Sequence, residues 1–306
     1  MISIHLMGGL GNQLFQIFTL IAYGLREKVK FVFPFSDTLT TGVNRPTYWG
    51  SFLSRLRVFT AGTEKNNPIN DEVYSWNKIR EPNFQYNELP SITQDQNIML
   101  IGYWQSYKYF DTVKDTIFRM IQLDKQKELI IRENIEYFGN TEKAEDFIKY
   151  ISMHFRLGDY KNLPDCHPIL SREYYANSLK IILDSSIRIN NQYKVLYFCE
   201  AEDNSTVSET IDYLKDIFKD INIVFIKVDD TIPDWKQLLM MSCCNYNIIA
   251  NSSFSWWAAY MNSNLNKIVC YPDKWFGPKI MNNNPSELYC RDMYLPEWIR
   301  IQTAIK

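Results

Sequence analysis

YISMHFRLGDY (residues 150–160) is the stretch that decides the fold. An apolar run, YISMHF (150–155), stops in a polar turn that carries His154, Arg156 and Asp159. Strands buried on both faces of a parallel sheet read as continuous apolar runs of this kind. Open α/β sheets bind ligands outside the carboxyl ends of their strands, which is where this turn falls. His154 and Arg156 are two residues apart and so project from one face of the strand. Arg156 offers a planar, permanently charged donor fork suited to a pyrophosphate. His154 either donates to the same anion or orients the arginine. Taken alone, the turn reads slightly better as an Arg156–Asp159 ion pair that closes the chain after the strand.

Outward from this stretch the alternation is regular. Apolar runs recur at KVLYFC (194–199), INIVFI (221–226), YNIIA (246–250) and KIVCY (267–271). Amphipathic helical patterns lie near 171–184, 205–219, 234–243 and 254–262. Such alternation predicts parallel βαβ units and a doubly wound sheet. Upstream, KFVFPF (30–35) and NIMLIGYW (97–104) read as strands, and helical patterns fill most of 107–138. Residues 36–95 are rich in Asn, Pro, Trp and Tyr and show little periodicity. A chain of 306 residues is long for one hydrophobic core, so two domains are expected. The polar break FGNTEKAED (138–146) sets the expected boundary: an N-terminal α/β domain over 1–145, a Rossmann-like domain over 146–290, and a tail over 291–306 that packs back on the N-terminal domain. The fold class is α/β, with two Rossmann-like domains facing a central cleft.

Two further segments carry chemistry. In IIANSSFSWWAAYMN (248–262) a buried strand runs through Asn251, Ser252, Ser253 and Phe254 into a helix. Serines at a helix start cap it, and the same unpaired N–H groups bind phosphate. Phe254 suits a nucleobase face, while Trp256 and Trp257 read either as cleft lining or as core. Near the N-terminus, MGGLGNQ (7–13) separates the apolar run Ile2 to Leu6 from a helical pattern. This is the place of a phosphate-binding turn, yet both usual fingerprints fail. After Gly9 and Gly11 the third glycine position of a dinucleotide loop holds Leu14, and Gly11 is followed by Asn12 where a P-loop needs lysine.

The balance of 33 Lys+Arg against 35 Asp+Glu offers no broad basic field for nucleic acid. An anionic ligand must then be held by a few placed groups. Six cysteines (166, 199, 243, 244, 270, 290) form no C-x-x-C pair, so neither a zinc site nor a disulfide framework is expected, and free thiols fit a cytoplasmic location. No apolar run approaches the ~20 residues of a membrane span. With a strand beginning at residue 2, no signal peptide or membrane anchor is expected.

In order along the chain, GGLGNQLFQ, GYWQSYKYF (102–110), HFRLGDY, HPILSREYY (167–175), NSSFSWWAAY and KWF (274–276) resemble the α-1,2-fucosyltransferases, from residue 1 to about 276. The resemblance implies a GT-B fold, with the first domain on the acceptor side and the second binding the GDP-sugar. It implies transfer of L-fucose from GDP-β-L-fucose, a co-substrate, to the 2-hydroxyl of a terminal galactose, with inversion and without metal or other cofactor. No D-x-D metal motif is found in the chain. Arg156 is then the phosphate-binding residue, with His154 and Asp159 beside it as catalytic candidates. Gly9, Gly11, Asn12 and Gln13 on one side, and Asn251, Ser252, Ser253 and Phe254 on the other, are the expected donor-binding set. Asp159 is either the base for the acceptor proton or a structural partner of Arg156, or the departing phosphate takes the proton. Tyr48, Trp49, Tyr103 and Trp104 are candidates for stacking on acceptor sugars. A lipid-linked acceptor would bring peripheral contact with a membrane. Two positions depart from the family pattern: Leu157 stands where a second arginine is usual, and Gln237 where an acidic residue is usual, with Asp234 one turn earlier. By strand alternation Leu157 points away from Arg156 and is expected to pack in the core.

Overall fold

The computed structural model describes residues 1–62, 72–139, 148–185, 192–283 and 290–303. They fall into two compact units, Met1–Asp124 with Ser286–Leu295, and Lys125–Pro285 with Pro296–Lys306.

The first unit opens with β1 (Ile2–Ile4), the glycine turn and α1 (Leu10–Glu27). From Leu10 to Gly24 every residue of α1 except Asn12 is buried, the signature of a helix enclosed on all sides. A short hairpin of β2 (Thr38–Leu39) and β3 (Arg45–Pro46) follows, then β4 (Asn77–Arg80) and β5 (Ile98–Ile101). The sheet is parallel, in the order β1-β5-β4. KFVFPF does not form the strand its apolarity predicts. Phe31 bridges Ile2 and Phe33 bridges Thr60 as isolated pairs, and Pro34 lacks the N–H that would continue a ladder. β4, by contrast, lies in the stretch without periodicity. Its four residues NKIR are exposed or half-buried, so no apolar pattern marks it.

After α2 (Lys114–Met120) the chain enters α3 (Leu123–Glu133) and the short α4 (Ile135–Phe138). The unit boundary falls in the first turn of α3 rather than at 145/146. Lys127 of α3 reaches the main chain of Met261 and the hydroxyl of Ser263, both at 3.1 Å, and Tyr150 Oη donates to the Phe138 carbonyl at 2.6 Å. These bonds tie 125–138 to the second unit. Most of the predicted break at 138–146 lies outside the described residues.

The second unit runs β6 (Ile148–His154), α5 (Arg172–Ser185), β7 (Gln192–Phe198), α6 (Asn204–Ile217), β8 (Ile223–Lys227), α7 (Asp234–Ser242), β9 (Tyr246–Ile248), α8 (Ser253–Tyr260), β10 (Val269–Pro272), α9 (Pro278–Asn283) and β11 (Ile299–Ile301). Each helix expected between strands falls within two residues of its predicted span. All six strands are parallel, in the order β8-β7-β6-β9-β10-β11. The direction of winding reverses between β6 and β9, the switch point at which doubly wound sheets bind ligands. The predicted tail divides. Asp292 holds 290–295 to the first unit, accepting from Lys108 Nζ at 2.6 Å, while its carbonyl accepts from Ser106 Oγ at 2.7 Å. The last residues add β11 to the second sheet. The α/β class, with a parallel sheet in each unit, is as expected.

Candidate functional site

β6 and β9 bring two of the sequence-predicted segments together. β6 ends at His154, which is buried, with its ring centroid 5.5 Å from that of Phe254. Tyr160 Oη donates to the Asn251 carbonyl at 3.0 Å, which ties the HFRLGDY turn to the NSSF turn. Among the described residues His154 Nδ1 and Asn251 Oδ1 are both buried without a hydrogen-bond partner, an arrangement that costs free energy unless a further group completes it. Burial, reinforced by the Arg156 charge, lowers the His154 pKa to about 3, so the imidazole is neutral at physiological pH.

Arg156 leaves β6 on the same face as His154. One guanidinium nitrogen donates to Asp159 Oδ1 at 2.5 Å and another to Glu200 Oε1. Its Cζ lies 5.1 Å from the Tyr160 ring centroid, and that ring stacks on His167 at 4.5 Å. Burial opposes the charge, but Glu200 and Asp159 outweigh it and raise the Arg156 pKa. The Arg156–Asp159 pair of the simpler reading therefore exists, and Glu200 takes the other terminal nitrogen of the fork. The Arg156 side chain is 21% exposed against 55% for Asp159 and 50% for Glu200, so both partners sit on the solvent side.

The turn after Arg156 is held from beneath. Leu157 is 7% exposed and belongs to the core cluster with Ile151, Met153 and Phe155, as strand alternation predicts. Gly158 N donates to Asp203 Oδ2 at 2.9 Å, and Lys161 Nζ donates to the other oxygen at 2.5 Å. Asp203 is fully buried. Neither it nor Glu200 was singled out by sequence. Glu200 follows the run KVLYFC at a strand end, and the rule that selects Arg156 on β6 selects it equally on β7.

Ser252 is extended and caps α8, its Oγ accepting from Phe254 N at 3.3 Å. Ser253 is the first helical residue and is half-buried. Asn251 spends its Nδ2 donor on the carbonyls of Pro168 (2.9 Å) and Trp275 (3.2 Å), which binds the HPIL and KWF segments to this turn. Trp256 and Trp257 are fully buried and pack as core. Gln237 donates to the Ile232 carbonyl at 2.8 Å, and Asp234 accepts from Trp235 N at the start of α7.

In the first unit, Gly9 precedes α1 and Gly11 lies in its buried first turn. Gly8 has φ +78°, a conformation that favours glycine, and a Cβ there would also displace the Asn12 side chain, whose Nδ2 it would meet at 2.5 Å. Asn12 Oδ1 accepts from Gln105 Nε2 at 2.7 Å. Gln13 is buried and donates to the carbonyls of Gly8 and Pro46, clipping the turn to the hairpin. Gln105 lies in a loop that Glu81 organises, its two oxygens accepting from Tyr103 N (2.6 Å) and Trp104 N (2.9 Å). Burial raises the Glu81 pKa to about 7, against these main-chain donors, which lower it. Tyr48, Trp49 and Trp104 are buried, whereas Tyr103 is half-buried. Three of the four acceptor-stacking candidates are thus packing residues.

All six cysteines are free. Burial raises the thiols of Cys199 and Cys243 to about 11 and that of Cys270 to about 12. These three are not thiolates at neutral pH. Among the described residues, no group of three or more His, Cys, Asp or Glu could hold a metal ion, and no helix is long and apolar enough to cross a membrane.

The chain is 26% identical over 317 residues to an α-1,2-colitosyltransferase of Escherichia coli, covering 97% of this chain and 98% of that one. It is 23% identical over 274 residues to a galactoside 2-α-L-fucosyltransferase of Caenorhabditis elegans, covering 88% and 71% respectively. Among solved structures, the fucosyltransferase NodZ from Bradyrhizobium aligns over 85% of this chain and 93% of its own, with a TM-score of 0.43 and 10% identity. The family model of Glycosyl transferase family 11 matches residues 1–302, and on that match across nearly its whole length the chain belongs to glycosyl transferase family 11.

Proposed function

We propose that the protein moves L-fucose from GDP-β-L-fucose to the 2-hydroxyl of a terminal galactose on a glycan, inverting the donor configuration to give an α-1,2 linkage. The observation that carries this reading is the pairing of Arg156 with the Ser252-capped start of α8 at adjacent strand ends, where the sheet changes direction. That is a place for a diphosphate. As the bond to the anomeric carbon breaks, the departing GDP gains negative charge, and fixed donors aimed at it are usually the largest catalytic contribution. Arg156 supplies a charged fork, and the start of α8 at Ser252, Ser253 and Phe254 supplies the positive end of a helix dipole and two serine hydroxyls. Neutral His154 offers Nδ1 to the same ligand, and Asn251 holds the two turns together. Gly9, Gly11 and Gln13 shape the turn that carries Asn12 in the first unit. Asp159, half-exposed beside Arg156, is either the acceptor of the galactose proton or the group that orients the guanidinium. No metal or other cofactor takes part in this reading. Free cysteines support a cytoplasmic setting, and a lipid-linked acceptor would bring the chain to a membrane surface.

A second donor deserves a place because a relative is named for colitose transfer. Colitose is L-fucose without its 3-hydroxyl, so the leaving group and the anomeric chemistry are the same. The test is incubation of purified protein with GDP-fucose or GDP-colitose and a β-galactoside, with the product linkage read by NMR. Fucosyl transfer to the galactose 2-position is expected. Transfer from GDP-colitose alone, or a different linkage, overturns the donor or the linkage respectively.

A further inference from the structure

Glu200 is the residue at the ligand-binding edge of the second sheet that the reading above leaves without a task. It follows β7, the neighbour of β6 on the side away from β9. In a sheet wound this way the first strand's turn takes the pyrophosphate, and an acidic residue at the end of the second strand takes ribose hydroxyls. Counted from the switch point, β6 is the first strand and β7 the second. Arg156 stands at the end of one and Glu200 at the end of the other, close enough to be hydrogen-bonded.

The local charge favours a change of partner. One guanidinium faces two carboxylates, Asp159 and Glu200. A diphosphate arriving at that fork adds further negative charge, and like charges crowded at one site repel. Glu200 can leave without disturbing the fold, because its side chain is half-exposed and water can take the place of the arginine around its carboxylate. Space is kept for it: Gly158 has φ +33°, and a Cβ there would stand 2.6 Å from Glu200 Oε2. A carboxylate is an acceptor-only group with two oxygens, which suits two neighbouring hydroxyls that donate.

We propose that Glu200 binds the ribose diol of the donor nucleotide, exchanging its contact with Arg156 for the 2′- and 3′-hydroxyls as the diphosphate takes the arginine. The proposal rests on the reading of this edge as a nucleoside-diphosphate site. It makes Glu200 a selector for ribonucleotides over deoxyribonucleotides.

Calorimetric titration of the whole chain with GDP, 2′-deoxy-GDP and 3′-deoxy-GDP tests it, on wild type, Glu200→Gln, Glu200→Ala and Arg156→Ala, each checked for folding by thermal melt. Wild type should bind GDP about tenfold or more tightly than either deoxy analogue, the worth of a charge-assisted hydrogen bond. In Glu200→Ala the preference should fall to within about threefold, with Glu200→Gln intermediate. Arg156→Ala should weaken all three ligands by a similar factor and keep the preference. If wild type does not distinguish GDP from its deoxy analogues, or Glu200→Ala keeps the full preference, the proposal is wrong while the diphosphate site stands. Tighter binding of all three ligands to Glu200→Ala with the preference intact would make Glu200 a competitor for Arg156 and nothing more. Failure of wild type to bind GDP at all would overturn the diphosphate reading itself.

Discussion

Adjacent residues just beyond β6 have opposite fates, and Arg156 and Leu157 are the pair that shows it. Arg156 pairs with two half-exposed carboxylates, so its removal should cost the fold little, because both partners are left to water. Its removal should cost the reaction much more, about two to three orders of magnitude in kcat, as for loss of one donor to a developing charge. Arg156→Ala should therefore keep its melting temperature within a few degrees while losing nearly all transfer, and Arg156→Lys should rescue little, because a point charge cannot reproduce a planar fork. A mutant that unfolds would instead mark the arginine as a closure of the turn. Leu157 is the converse. It is buried among Ile151, Met153 and Phe155, so Leu157→Arg places an unpaired charge in the core and should cost several kcal/mol. A stable Leu157→Arg mutant with a lower KM for the donor would put that side chain on the ligand side. Period-two alternation from a buried strand is enough to put the two side chains on opposite faces from sequence. The Arg156–Glu200 contact was not legible in that way, because it joins residues 44 apart through the order of strands, which no local pattern encodes.

At the scale of elements, legibility followed burial. In the second sheet β6, β7, β9 and β10 are largely buried and read as apolar runs, and the edge strand β8 keeps an apolar run although no residue of it is fully buried, so β6 to β10 and the helices between them are legible within a few residues. β4 is exposed or half-buried along its length and has no pattern to read, whereas the apolar KFVFPF makes two bridges and no ladder. Glu81, the first residue after β4, illustrates what that hid. Its carboxylate collects main-chain N–H groups from the loop after β5, and that loop carries Gln105 to Asn12. In the fold this carboxyl has a pKa of about 7, against 4.5 when unperturbed. Between those values the folded chain holds a proton that the unfolded chain has released, so this group's contribution falls as pH rises through the window. Denaturant titrations at pH 5 and pH 7.5 should show wild type losing on the order of 2 kcal/mol more than Glu81→Gln across the interval. Equal losses would mean that Glu81 ionises as an ordinary surface glutamate.

For the whole molecule, charge is the quantity that narrows the chemistry. With 33 basic and 35 acidic residues, the chain offers no general field to hold a sugar nucleotide, and affinity must come from short-range donors. One guanidinium, one helix start and a neutral histidine are what the switch point of the second unit provides. If these are sufficient for the departing diphosphate, no divalent cation is needed. Transfer from GDP-fucose should then continue at its full rate in excess EDTA. The informative comparison is Arg156→Ala with and without added manganese. In a metal-independent site manganese leaves both proteins unchanged; among the described residues no group of three or more His, Cys, Asp or Glu could hold a metal ion. Activity that EDTA abolishes and manganese restores in wild type would assign the charge compensation to a metal, and Arg156 would then be a partner to it and not its replacement.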